Sequence, residues 1–275
     1  MTIFKAAATM LLALLSGGAS AQSDTIPSGK VVTNARMIGV GATDILDTYL
    51  SQEKFRGTEL RYISHTMREP EGRHWGRLIV HQGNLAFADN RSGDGGEIAG
   101  AYYFSYGVRR RFAFPVGNAT LTVRAGAQAD VTAGFIYNTR GSNNPAQARF
   151  DIGLSPSAGA AYDFTVGGKP LTVTYEASVP LLGVMFSPNY GQSYYEIFSE
   201  GNYDHNIVPT TIGSTPSFRQ MLTLDFRLLH ATWRVGYLGD YRQASVNSLK
   251  QHTYTHSLVV GVVKSFSVAK LPARK

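Results

Sequence analysis

The sequence predicts an all-β chain, a transmembrane antiparallel up-and-down β-barrel of about ten strands with long extracellular loops; twelve is the alternative count. Three observations carry this. First, in residues 218–241 the apolar side chains repeat every second position. Phe218, Leu222, Leu224, Phe226 and Leu228 share a face with Gln220, opposite Arg219, Met221, Thr223, Asp225 and Arg227. After Leu229 and His230 the pattern resumes, with Ala231, Trp233, Val235, Tyr237 and Tyr241 against Thr232, Arg234, Leu238 and Asp240. Second, each of these strands runs to roughly eleven residues, the length that crosses a tilted bilayer, whereas soluble strands average about five or six. Third, charged residues make up only 16% of the chain, against roughly 25% in soluble domains.

The first 21 residues read as a secretory leader: Lys5 is the positive start, residues 10–15 the apolar centre, and Ala19-Ser20-Ala21 the cleavage site. No later apolar run approaches the roughly 20 residues that a spanning helix needs. Residues 22–30 are a polar periplasmic lead, 31–267 the barrel and 268–275 a tail. With no Cys, the fold draws on no disulfide or thiolate-bound metal, and no cofactor is expected. The formal charge of +7 favours anionic head groups or solutes. The arginines are dispersed along strands with no basic run, which argues against nucleic acid.

The first three strands, at 31–40, 58–68 and 74–88, alternate imperfectly. The fourth sets Tyr102, Phe104, Tyr106 and Val108 against Arg109 and Arg111. The fifth is the cleanest, with Leu121, Val123, Ala125, Ala127, Ala129 and Val131 opposing Arg124, Gln128 and Asp130. In the sixth, Phe150, Ile152 and Leu154 oppose Arg149, Asp151 and Ser155; in the seventh, Leu171, Val173 and Tyr175 oppose Thr172, Thr174 and Glu176. The opening hairpin supplies the eighth and ninth, and residues 254–266 the tenth.

Short connections (69–73, 115–118, 167–170, 229–230) alternate strictly with longer ones (41–57, 89–97, 137–146, 180–217, 242–253), as in barrels with short periplasmic turns and long outer loops. Trp75, Phe112, Tyr162, Phe164, Trp233 and Phe266 gather at the short-turn ends; Tyr102, Phe135, Phe218, Tyr241 and Tyr254 gather at the other. These are two interfacial girdles. The last strand, with Gly261 and Phe266, is similar to the C-terminal assembly signal of outer-membrane barrels, although the chain continues past the aromatic.

Three stretches resemble an uncharacterised family of outer-membrane proteins, a domain of unknown function common in Bacteroidota. They are GVGATDILDTYLS (39–51), GVMFSPNYGQSYYEIF (183–198), and VNSL (246–249) with HTYTH (252–256). The resemblance implies compartment and fold, and no activity.

All three stretches fall at the predicted outer loops, where function on a rigid scaffold usually resides. Asp44, Asp47, Tyr190 and Gln192, with Tyr194, Tyr195, Asn247 and His252, are candidates to line a mouth pocket for a polar or anionic ligand. The alternative is that they satisfy loop backbones and pack the loops together. A hydrolase at the outer rim is the competing class. Its phospholipase form would use Ser248 with His252 or His256, or Ser193 with His205; its protease form would use Asp204-His205 with Asp89 or Asp44. His252 and His256, four apart on a strand, stand too far apart to chelate one metal ion.

The lumen is the other candidate. Arg109, Arg111, Arg124, Asp130, Arg149 and Asp151 point inward, as do Glu176, Arg219, Asp225, Arg227 and Arg234. They form either a narrow anion-preferring pore or a closing ion-pair network; a lumen this narrow favours the network. The expected partners are outer-membrane lipid and lipopolysaccharide, the assembly machinery, and a small polar or anionic ligand, with the barrel a monomer.

Overall fold

The computed structural model describes residues 29–70, 72–141 and 144–269. The leader at 1–21, most of the lead that follows it, and the end of the tail lie outside the described residues.

Twelve strands follow in order: β1 (Gly29–Asp47), β2 (Phe55–Pro70), β3 (Trp75–Asp89), β4 (Gly96–Val116), β5 (Ala119–Asn138), β6 (Ala146–Val166), β7 (Lys169–Ser178), β8 (Leu182–Phe186), β9 (Ile207–Thr211), β10 (Phe218–Leu228), β11 (Ala231–Val246) and β12 (Leu249–Ala269). A short helix, α1 (Tyr194–Phe198), lies between β8 and β9. Ten of the strands close a ring through antiparallel pairs, with β1 against β12 and β5 against β6.

The register gives the tilt. From Arg219, directly opposed residues on successive strands lead through Asp240, Thr255, Thr43, Gly57 and Ala88 to Glu97 on β4. In the other direction they pass Ser178, Ser157 and Gly126 to reach Arg109 on the same strand, 12 residues along. A closed sheet with that stagger tilts its strands by about 40°, within the range for barrels. Gly261 stands at the β12–β1 pair, where an added Cβ would meet Arg36 O at 2.0 Å; a side chain there would force the two strands apart.

The remaining two strands extend the wall. Beyond Ser178 the chain breaks at Pro180, which has no amide to give the ladder. The amides of Val179 and Leu181 still reach Pro156 O and Leu154 O, and β8 then pairs with β6 over Leu182–Met185. β9 pairs with β8 alone, so the long connection at 180–217 is a hairpin standing on the line of β7 and β10, with α1 at its tip. At the seam facing β11, the links are Ser245 N to Ser214 O and the Ser217 hydroxyl to the backbone of Gln243.

Two expected loops are largely strand. In place of a loop at 242–253, β11 and β12 continue to a two-residue turn at Asn247-Ser248, both with positive φ. β1 runs on to Asp47. The aromatic girdle marks where the hydrocarbon ends, while the backbone ladder continues into water because it is satisfied there too. The opposite turn at Leu229-His230 has the same positive-φ pair (50° and 65°), the signature of a tight hairpin.

Inside the ring, Met37, Ile63, Leu78, Val80, Met221, Leu238 and Val259 form a buried apolar cluster with Ala35. Ile63 and Met221 sit one inward step nearer the short turns than Arg61 and Arg219. Oily side chains therefore fill the lumen directly beneath a charged layer.

Candidate functional site

The charged layer is built around Arg61, which is 1% exposed. Its Nε and Nη2 donate to Glu59 Oε1 and Oε2 at 2.7 and 3.1 Å, and Nη1 donates to Asp240 Oδ2 at 2.7 Å. Glu59 also accepts from Asn84 and Thr255. Asp240 takes a further bond from Arg242 at 3.2 Å. The Arg242 guanidinium lies 4.1 Å from the centroid of the Tyr103 ring. Charges this buried persist because each guanidinium here is paired with a carboxylate and each carboxylate is hydrogen-bonded.

Toward the short turns, Glu176 joins Arg109 at 2.5 Å and lies 2.8 Å from His65 Nε2, a contact not aligned for a hydrogen bond. Arg124 grips Glu69 with two bonds, at 2.7 and 3.2 Å, and Arg111 approaches the same carboxylate at 3.9 Å. Arg234 and Asp225 form a bidentate pair at 2.6 and 2.7 Å. Arg227 is exposed at the short-turn end and has no ion pair among the described residues. Toward the long loops, Arg149 reaches Thr253 at 2.9 Å and Asp47 at 3.4 Å.

Above the charged layer is a cavity of about 140 Å³, bounded by Tyr103, Thr132, Asp151, Arg219 and Arg242 among others. Asp130 is saturated by Ser105, Ser155 and Gln128. Arg219 is not. No hydrogen bond or ion pair within 4 Å joins it to a described residue. Asp151 likewise has no ion pair in that range.

The predicted mouth residues separate into four groups. Gln192, Tyr194 and Asn247 knit the cap. Gln192 Oε1 accepts from Asn189 N and Asn206 Nδ2, its Nε2 donates to Asn202 O, and its carbonyl accepts from the Tyr49 hydroxyl. The Tyr194 hydroxyl accepts from Ala148 N and donates to Gln147 Oε1, pinning α1 over β6. Asn247 Nδ2 donates to Ser187 O and His205 O at 3.0 and 2.9 Å, bridging the tops of two hairpins. Burial, then the charges of Asp47 and Glu196, push the Tyr49 hydroxyl up to about 12; burial also raises that of Tyr194. Both remain neutral donors.

Asp47 belongs to the lumen, 2% exposed and beside Arg149. Asp44 alternates with the buried Thr43 and Ile45 and so faces outward, accepting from Arg56 at 2.8 Å and contacting His252 Nε2 at 2.8 Å. His252 stacks on Tyr254. Tyr190 and Tyr195 are the fourth group, with side chains free in solvent.

Helix α1 begins with a capping box. Ser193 Oγ accepts from Glu196 N, and the Glu196 carboxylate accepts from Ser193 N at 2.6 Å. That backbone bond, then the Ser193 hydroxyl, holds the Glu196 carboxyl below its ordinary range. The Ser193 hydroxyl is thereby committed to structure. Neither it nor Ser248 meets a histidine among the described residues, and Asp204-His205 pair with each other in the open. No group of three or more metal-ligating side chains occurs among the described residues.

A family model described as "Protein of unknown function (DUF3316)" matches residues 8–273. The chain belongs to this family. No curated protein matches the sequence of this family member. Among solved structures it is similar to the transport unit of the autotransporter AIDA-I from Escherichia coli, at 8% identity and a TM-score of 0.42, covering 92% of this chain and 96% of that one. It is also similar to the translocator domain of NalP from Neisseria meningitidis (14%, TM-score 0.40, 94% and 95% covered). A third is the outer membrane protease OmpT from Escherichia coli (8%, TM-score 0.39, 89% and 100% covered). At such scores these likenesses carry no argument about what the chain does.

The sequence reading missed the centre of the layer: Glu59, Arg61, His65 and Glu69 lie on β2, whose alternation is blurred. The available signal was their own spacing, four acidic or basic side chains on one parity of a single strand.

Proposed function

We propose that this family member is an outer-membrane binding barrel, plugged rather than conducting, which holds a small polar ligand above the charged layer and beneath the cap. The reading includes export with cleavage after Ala21 and residence in the outer membrane as a monomer. The supporting observation is Arg219, an arginine beside the cavity with no direct partner among the described residues while its neighbours Arg61 and Arg242 are bonded to carboxylates. Natural structures rarely leave such a group unanswered.

The cavity of about 140 Å³ is close to one that admits benzene, roughly 150 Å³, so the ligand has only a few heavy atoms. Its acidic group belongs at Arg219 and a donor toward Asp151, the pattern of a small hydroxy or amino acid. The plugged reading is supported by the apolar cluster below Arg61 together with the ion pairs of Glu176 with Arg109 and of Glu69 with Arg124 on the short-turn side.

The test is thermal unfolding of the detergent-solubilised protein with glycolate, glycine or inorganic phosphate. At 100 times its dissociation constant a ligand adds about 2.7 kcal/mol, a rise of a few degrees in Tm that Arg219→Met abolishes. No rise with any of the three, or an equal rise in Arg219→Met, overturns the reading.

A further inference from the structure

The outer wall near the short turns carries a feature that the lumen does not explain. Arg68 on β2 and Arg77 on β3 are directly opposite in the ladder. Arg110 on β4 pairs with Trp75, two residues from Arg77, which places it diagonally across. Like charges at such positions repel. Together with Arg73 in the adjoining turn, and with Trp75 and Tyr106, they line an external groove of about 760 Å³. No carboxylate among the described residues comes within 4 Å of these four guanidinium groups. Arg68 Nε is buried without a hydrogen-bond partner, and the Arg110 guanidinium rests over the Phe112 ring.

Height decides what answers this charge. Trp75 is 54% exposed and Phe112 and Phe114 are also exposed, an aromatic belt of the kind that marks the head-group level. Around the same belt, β6, β7 and β10 present Tyr162, Phe164, Leu171 and Phe226, so the basic wall is local. An arginine facing hydrocarbon costs about 2–4 kcal/mol at mid-bilayer and nearly nothing at the interface. There, phosphate oxygens match guanidinium two bonds at a time.

We infer that this groove binds the phosphodiester head group of an anionic glycerophospholipid in the leaflet at the short-turn end. The lipid phosphate sits between Arg68, Arg77 and Arg110, with Trp75 packed on the glycerol and upper acyl chain. It relieves the repulsion across β2 and β3 and ties that side of the barrel to a fixed depth.

The chain's two tryptophans, Trp75 and Trp233, permit a local test. In phosphatidylcholine vesicles, Trp233→Phe leaves Trp75 as reporter and Trp75→Phe leaves Trp233, on β11. Quenching by brominated phosphatidylglycerol is compared with quenching by brominated phosphatidylcholine, after a heat-modifiable gel shift shows each variant folded.

The groove gives the anionic lipid a preference of at least about tenfold at Trp75, and near unity at Trp233. Arg77→Gln or Arg110→Gln, each in the Trp233→Phe background, lowers the preference at Trp75 by about fivefold. Equal quenching by the two lipids at Trp75, or selectivity unchanged by both glutamine variants, overturns the assignment. So does displacement of the brominated lipid by excess glycerol phosphate, which would make the site one for a soluble phosphoester.

Discussion

Asn247 holds the cap through an amide that bridges the tops of two hairpins, and it does so with φ at 50°. The two contributions separate by substitution. Asn247→Gly keeps the turn and removes the amide, and it exposes the 187–206 segment to chymotrypsin at Tyr190, Phe198 and Tyr203. Asn247→Ala does the same and adds a left-handed penalty of about 1–2 kcal/mol. Equal protection of the segment in wild type and Asn247→Gly refutes the clamp. Glu196 gives the cap a pH dependence. Because its folded value is depressed, its stabilisation is present above the ordinary carboxylate range and is lost as pH falls through that depressed value. Hydrogen exchange at Tyr194–Phe198, corrected for intrinsic rate, rises on acidification in wild type and stays flat in Glu196→Gln.

Hairpins carry the next scale. The Leu229-His230 turn adopts the conformation that Asn-Gly prefers, so Leu229→Asn with His230→Gly stabilises the barrel by about 1–2 kcal/mol; urea unfolding in detergent measures it. Gly261 shows the opposite sensitivity. With Arg36 O where its Cβ would lie, Gly261→Val separates β12 from β1 and abolishes the heat-modifiable form. The alternation of β5 could be read directly because lipid-facing Ala and Val oppose charged lumenal residues. That of β2 could not, because Tyr62, Ser64, Thr66 and Arg68 make its outer face polar as well. A strand that is polar on both faces loses the contrast that period-two reading requires.

Across the whole barrel, two different barriers are stacked: a satisfied ion layer and the apolar cluster under it. Arg61→Ala leaves Glu59 buried without a charged partner, costing about 3–5 kcal/mol. It still gives no conductance in a planar bilayer, since the oily plug remains. Steady current from wild type at high salt contradicts the closed lumen, and current from Arg61→Ala alone shows that the ion layer is the only seal. The candidate cavity was legible only in part. Its Arg149, Asp151 and Arg219 stand in strands of clear parity, but which arginine lacks a partner depends on side chains from five or more strands.

The sequence by itself determined the membrane-spanning β architecture, the alternation of short turns with long connections, and the inward parity of the charges on the clear strands. All of these are local consequences of a two-residue period at the length of a tilted span. Only the tertiary structure decided that the 180–217 connection raises the wall with two further strands, that Gln192 and Asn247 fasten the cap, and which guanidinium groups remain unanswered. Those outcomes depend on register around a closed ring, where a 12-residue stagger brings together side chains that no spacing along the chain relates.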